Sequence, residues 1–294
     1  MPVYNFGSIN IDHVYRLPHI VRPGETLAST ALDMVLGGKG ANQSVALARA
    51  GVTVRHLGRV SRDDAWAIDA LAASGVDVSL IEAVAGVSGH AIIQVDDGGE
   101  NAIVLHGGAN RGFDRHFLEA GLSEAGEGDW LLLQNECDEL ATAMSVAFER
   151  GLAVAFNPAP FSSLVGSLPL EKVAVLWVNE TEASELGGVD DPLVALAALG
   201  ERLPATRVVL TRGAAGVVQL HRGERIDVAA PTVDVVDTTG AGDTFAGYHL
   251  AGICQGLDDG VALERAVAAA ALAVTKAGAS PAIPLAAAVD SFLR

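Results

Sequence analysis

The sequence predicts an α/β fold, a layered sandwich built on a central, mostly parallel sheet with a small β-sheet beside it. Three observations point there. Short apolar runs alternate with helical segments along most of the chain. Polar motifs recur just after those runs. Two strand-rich segments break the alternation. The chain has 294 residues, half of them apolar, which is ample for a large core.

Taken in order, "PVYNFGS" (2–8) is a short β-rich run and reads as the first strand. "GKGANQSVALARAG" (38–51) has helical spacing and stops at Gly51. "VTVRHLGRV" (52–60) is a strand. "SRDDAWAIDALAASG" (61–75) starts with Ser61 and Asp64 in a capping-box arrangement and ends on Gly75. The apolar strands "DWLLLQ", "LAVAF", "VAVLWV" and "TRVVLT" follow, each flanked by a helical segment. Apolar runs bounded by helices imply a parallel sheet covered on both faces.

The two segments that break the pattern span about 13–36 and 87–107. The second holds Asp96-Asp97-Gly98-Gly99 between two alternating apolar runs, a hairpin signal. Together they read as a small antiparallel sheet, either a lid over a site or surface decoration.

The formal net charge is −17. So acidic a surface repels nucleic acid and anionic membranes, and neither is expected as a partner. Small anions remain possible, because clustered backbone N–H groups hold them against the global field. Two distant cysteines, Cys137 and Cys254, make no disulfide framework. The N-terminus lacks signal-peptide regions, and the Ala-rich stretch 266–279 is too short for a membrane span. A cytoplasmic protein is the expectation.

In parallel sheets, ligands collect at the carboxyl ends of the strands. Five polar clusters fall there: Asn10 and Asp12, Asn135 and Glu136, Asn157, Asn179 and Glu180, and Thr211 to Gly213. One such cluster is an ordinary loop; five on one rim point to a shared site. The strongest motif is "DTTGAGDTFAGY" (237–248). Gly240-Ala241-Gly242 before an apolar helix forms a nest of N–H donors, suited to a transferring phosphoryl group. Asp243 beside that anion makes sense as a general base taking a proton from an attacking hydroxyl. A plain N-cap role for Asp243 would not require the glycines. "GGKGAN" (37–42) is neither a Walker A loop nor a dinucleotide fingerprint, and alone it reads as a glycine-rich helix start. The turn Thr211 to Gly216 either borders a nucleotide's phosphates or is a simple hairpin turn. "NETE" (179–182) either holds Mg²⁺ on a phosphate or begins a helix with acidic residues. No zinc-ligand spacing and no hydrolase elbow occurs.

Together, "GSINIDHV", "PGET", "GGKGANQSVALARAG", "GGAN", "NPAP", "NETEA" and "DTTGAGDTFAGY" resemble the ribokinase-like (PfkB-type) carbohydrate kinases, in the same order. The resemblance extends to "KAGASPAIP" near the C-terminus. It implies one kinase domain over 1–294, a three-layer sandwich with a β-sheet lid, transferring phosphoryl from MgATP to a sugar hydroxyl. The motif combination is most similar to the members that act on the 5-hydroxyl of D-ribose. A nucleoside, fructose or 2-keto-3-deoxygluconate is the alternative acceptor, and a catalytically dead sugar-binding regulator the alternative class.

By that resemblance Asp243 is the base and Gly240, Ala241 and Gly242 form the anion hole. Asn10, Asp12, Gly38, Lys39, Asn42 and Glu136 bind sugar, while Asn179, Thr211, Arg212, Gly213, Gly216 and Gly242 serve ATP. Asp237, Thr239, Ala273, Lys276 and Gly278 match ligands of an activating monovalent cation, usually K⁺, and Glu182 lies in the Mg²⁺ region. A homodimer through the lid is also implied. The chain departs from the family at Ala215, where Lys or Arg is frequent, at Ala282, where a Ser often serves the cation, and at Val267, where a polar residue often lies near adenine. His90 replaces a small apolar lid residue, facing either the sugar, a dimer contact or solvent.

Overall fold

The computed structural model describes residues 1–294. In chain order the elements are β1 (Val3–Phe6), β2 (Asn10–Arg16), β3 (Ala31–Gly37), α1 (Lys39–Arg49), β4 (Val54–Ser61), α2 (Trp66–Ala73) and β5 (Asp77–Val84). Then come β6 (Gly89–Val95), β7 (Asn101–His106), α3 (Arg115–Gly121), β8 (Trp130–Gln134), α4 (Leu140–Glu149), β9 (Ala153–Asn157), β10 (Val175–Asn179), α5 (Glu180–Gly187) and α6 (Pro192–Arg202). The last are β11 (Arg207–Thr211), β12 (Val217–His221), β13 (Glu224–Val228), α7 (Ala241–Cys254), α8 (Asp259–Ala273) and α9 (Ala286–Phe292).

Nine strands form the main sheet in the order β13-β12-β11-β10-β9-β8-β1-β4-β5. It is parallel from β11 to β5, while β12 and β13 pair antiparallel at one edge. Alternation along each strand divides the apolar side chains between two cores. On β8, Trp130 and Leu132 face one core with Val45, Phe245 and Leu263, while Leu131 and Leu133 face the other with Met144 and Leu196. The two clusters hold 34 and 33 buried residues, so helices cover both faces about equally. That is a three-layer sandwich. No helix is long and apolar enough to cross a membrane.

The second sheet has the order β3-β2-β6-β7. β2 pairs antiparallel with β3 and β6 with β7, but β2 and β6 run parallel. The sheet is therefore mixed, not wholly antiparallel, because its halves are separate hairpin-like excursions entering from the same side. Asp96 closes the β6–β7 turn; its Oδ1 accepts from Gly98 N (2.8 Å) and Glu100 N (3.0 Å).

Two further expectations are corrected. Ser61 and Asp64 make no capping box: Ser61 Oγ caps a short 3₁₀ turn through Asp63 N, and α2 starts only at Trp66. Asp64 instead accepts from Ser88 Oγ (2.6 Å), tying β4 to the entry of β6. Asn10 and Asp12 do not sit in a loop after the first strand. β1 ends at Phe6, and both residues belong to β2 in the small sheet. The strands β5 and β13 have no counterpart in the sequence reading, while β12 is the strand that a hairpin turn at Thr211 to Gly216 requires.

Candidate active site

Asp243 lies in the first turn of α7, only 6% exposed. A bare carboxylate at that depth would be costly, and two amides from α1 offset the cost. Asn42 Nδ2 donates to Oδ2 (3.0 Å) and Gln43 Nε2 donates to Oδ1 (2.9 Å). Asn42 is itself held, its Oδ1 accepting from Ser280 Oγ (2.7 Å). Gly240 caps α7 at φ 74°, in the left-handed region open to glycine. A Cβ there would also meet Ala279 Cβ at 2.9 Å. At Gly242 a Cβ would meet nothing within 4 Å. The helix N-terminus therefore opens onto free space beside the carboxylate, while the Ala241 N–H donates to Thr238 O (3.2 Å).

That space is a cavity of about 220 Å³, lined by Lys39, Asn157, Asn179, Glu182, Thr211, Thr238, Gly240, Gly242 and Asp243, with Trp177 and Phe245 on its apolar wall. It is smaller than the roughly 300–1,000 Å³ of a typical cofactor pocket. Its size suits the reacting groups rather than a whole nucleotide. Lys39 is the cation within it. Asp243, and with it Glu136 and Glu182, raise its ammonium pKa against the opposing effect of burial. The site thus keeps one fixed positive charge among three carboxylates.

Glu182 and Asn179 form a reciprocal cap on α5. Asn179 Oδ1 accepts from Glu182 N, and Glu182 Oε2 accepts from Asn179 N, both at 2.9 Å. "NETE" is thus a helix start, and it still delivers Glu182 to the cavity. Burial raises the Glu182 pKa, opposed by the Asn179 N–H bond and Lys39.

On the other side of Lys39 lies a second polar group. Glu136 Oε2 accepts from the Lys39 backbone N–H (2.9 Å) and from Ser8 Oγ. Gly38 is the N-cap of α1. Asn110 Nδ2 donates to Asn10 Oδ1 (2.7 Å), while its own Oδ1 accepts from Ile9 N (3.0 Å). Asp12 packs against Gly37, where any Cβ would strike its carboxylate. Burial, with Glu136 adding repulsion, pushes the Asp12 pKa up to about 7. It is a carboxyl without a hydrogen-bond donor, the condition of a group that waits for a hydroxyl.

The turn after β11 is a hairpin connection to β12 and includes Gly213 and Gly216. Thr211 lines the cavity; Arg212, Gly213 and Gly216 lie outside it. Arg212 Nε sits 3.6 Å from Glu180 Oε1, and this nitrogen is buried without a hydrogen bond. Asn135 is structural, donating to Pro160 O (2.6 Å) and Ser162 Oγ (3.1 Å).

Beside Gly240, Asp237 joins two loops. Its Oδ1 accepts from Thr239 N (2.9 Å) and its Oδ2 from Gly278 N (2.8 Å). Val236 N and Asp237 N both donate to Val274 O. The segments holding Thr239, Ala273, Lys276 and Gly278 are thereby brought side by side. Burial opposes ionisation of Asp237, but the Thr239 and Gly278 bonds outweigh it and lower its pKa. His90 lies opposite Ile11 in register, on the face turned away from Asn10 and Asp12.

Sequence reading missed Gln43, Gln134, Asn110 and Ser280. Asn110 and Gln43 do stand inside the motifs "GGAN" and "GGKGANQ", but their partners lie 100 and 200 residues away.

Residues 3–286 match the pfkB family of carbohydrate kinases. A ribokinase of Haemophilus influenzae is 35% identical over 95% of this chain and 94% of its own. The ribokinase of Cryptococcus neoformans, solved in complex with ADP, superposes with TM-score 0.87 at 34% identity over 99% of this chain and 98% of its own. That of Arabidopsis thaliana, complexed with ribose and ATP, gives TM-score 0.89 at 28% identity over 100% of this chain and 98% of its own. The chain belongs to the pfkB family of carbohydrate kinases.

Proposed function

We propose that this protein is a ribokinase, transferring the γ-phosphoryl group of MgATP to the 5-hydroxyl of D-ribose. The observation that carries the reading is Asp243, buried between two amide donors beside the open head of α7. Asp243 takes the proton from the sugar hydroxyl as its oxygen attacks phosphorus. The N–H groups of Gly240 and Gly242 receive the charge that spreads over the phosphoryl oxygens, and that of Ala241 joins them by leaving Thr238 O. Lys39, between sugar and phosphate, adds positive potential from the sugar side. Asn10, Asp12, Asn42 and Glu136 hold the sugar hydroxyls. Amides and carboxylates suit a neutral polyol, whereas a phosphorylated acceptor would meet Asp12 and Glu136 as like charges. Asn179, Thr211 and the turn to Gly216 lie on the ATP side.

Mg²⁺ would enter on the nucleotide, where it neutralises phosphate charge. Glu182 fits it: one carboxylate oxygen caps α5 and the other is left for the cavity. A monovalent cation would be held by the Asp237 carboxylate and the backbone carbonyls of Thr239, Ala273, Lys276 and Gly278. One carboxylate with several carbonyl oxygens is a donor set suited to a weakly charged, hard cation. Ala282 supplies no side-chain oxygen there. The outer face of the small sheet would join two copies into a dimer.

The test is ADP release over ribose, deoxyribose, fructose, fructose 6-phosphate, adenosine and 2-keto-3-deoxygluconate, with potassium and with sodium. Ribose turnover raised by potassium is the expected result. Turnover of another acceptor alone would replace ribose. Asp243→Ala is expected to lose on the order of 10²-fold or more in kcat, and near-full activity would sink the reading.

A further inference from the structure

Gln43 lies in the second position of the helix α1 pair that holds Asp243, and it is fully buried. Its amide cannot turn freely. Gln134 Nε2 donates to Gln43 Oε1 (2.7 Å) and to Asn5 Oδ1 (3.0 Å). Asn5 Nδ2 donates to Ser44 Oγ and Gly40 O, both at 2.8 Å. Ser44 Oγ lies 2.9 Å from His56 Nδ1, and His56 Nε2 lies 3.1 Å from Gly7 O. Burial pushes the His56 pKa down to about 4, so the ring is neutral. A carbonyl can only accept, so Nε2 carries the proton and Nδ1 accepts from Ser44. Donor direction is then fixed at each step from His56 to Gln43. The carbonyl of Gln43 must face Gln134, and its NH₂ must face Asp243.

We infer that Gln43 is a positioning residue for the phosphoryl-transfer reaction, locking the Asp243 carboxylate in one orientation through a chain of buried amides anchored at His56. The inference rests on the reading of Asp243 as the base. Asn42 alone does not replace this lock, because it also faces the sugar side and is shared with Ser280. The charged groups facing Asp243 from the other elements are Lys39 and Glu182. Neither touches Gln43.

Two near-isosteric variants test it. Gln43→Met keeps the volume and removes both amide groups. Gln43→Glu keeps the acceptor for Gln134 but turns an oxygen toward Asp243. Gln43→Met is expected to lose about 10- to 100-fold in kcat, the scale of a misplaced catalytic group, with KM for sugar and ATP changed less than about threefold. The acid limb of its kcat–pH profile moves to higher pH, because the carboxylate has lost a donor. Gln43→Glu is expected to move that limb further, because a second carboxylate beside Asp243 disfavours its ionised form. Melting curves and circular dichroism screen both variants for folding. If either folded variant keeps wild-type kcat and an unmoved acid limb, the inference is overturned. The same holds if the loss falls wholly on KM. Should wild-type protein phosphorylate no sugar, or Asp243→Ala retain activity, the functional reading itself fails, a result distinct from failure of Gln43 alone.

Discussion

Asp12 carries a consequence that one carboxyl imposes on stability and binding together. Its ordinary pKa of 3.8 rises to about 7, through burial and the nearby Glu136. Between about pH 4 and 7 the native state keeps a proton that the unfolded chain has released, so stability falls as pH rises through that window. At pH 8 the ligand-free protein bears the whole cost, at most about 4 kcal/mol by the size of the shift. Asp12→Asn removes it. The variant should melt several degrees above wild type at pH 8, with the gap closing toward pH 4, by differential scanning calorimetry. A sugar hydroxyl donates best to the ionised form, so KM for the sugar should fall from pH 6 to 8 in wild type and stay flat in Asp12→Asn. A melting gap independent of pH would refute this account of Asp12.

At the scale of the element, the head of α7 is expected to separate stability from catalysis within three residues. Gly240 is needed by the backbone: its φ is 74° and Ala279 blocks a side chain. Gly240→Ala is expected to destabilise by about 1–3 kcal/mol. Gly242 is not needed by the fold, since the space beside it is open, and the proposed phosphoryl site accounts for the missing side chain. Gly242→Ala should leave melting unchanged or raise it slightly, because Ala favours helix, yet lose on the order of 10²-fold in turnover. If Gly242→Ala stays active, the anion does not sit there. This element was legible in sequence because glycines, an acid and a helical period fall within one turn. The same holds for Asn179 and Glu182, whose cap is local. Asn10 and Asp12 were misplaced because the chain changes sheet between Phe6 and Asn10, and nothing local marks which sheet a short strand joins. Gln43 and Gln134 were invisible for a related reason: a buried amide is told from a surface one only by partners distant in sequence.

For the whole molecule, the small sheet has two unlike faces. One bears Asn10 and Asp12 and turns toward the site. The register places Leu32, Met34, His13, Tyr15, His90, Ile92, Val104 and His106 together on the other. No carboxylate, lysine or arginine stands among them, in a chain of net charge −17. Met34 is 52% exposed and Val104 63%, so water meets much of this apolar face in the single chain. Such a patch favours a partner without charge, and a second copy of the same face meets that need. Because β2 carries Asn10 and Asp12, the proposed sugar ligands, on one face and this patch on the other, pairing would also stiffen the strand that holds them. Light scattering after size exclusion should give twice the chain mass of 30.1 kDa for wild type and one chain for Met34→Glu/Val104→Glu. The double variant should retain Asp243 chemistry, but with a raised sugar KM, since its lid strand is no longer braced. A monomeric wild type would leave the outer face without this role. A dimer that survives both glutamates would place the contact elsewhere on the molecule.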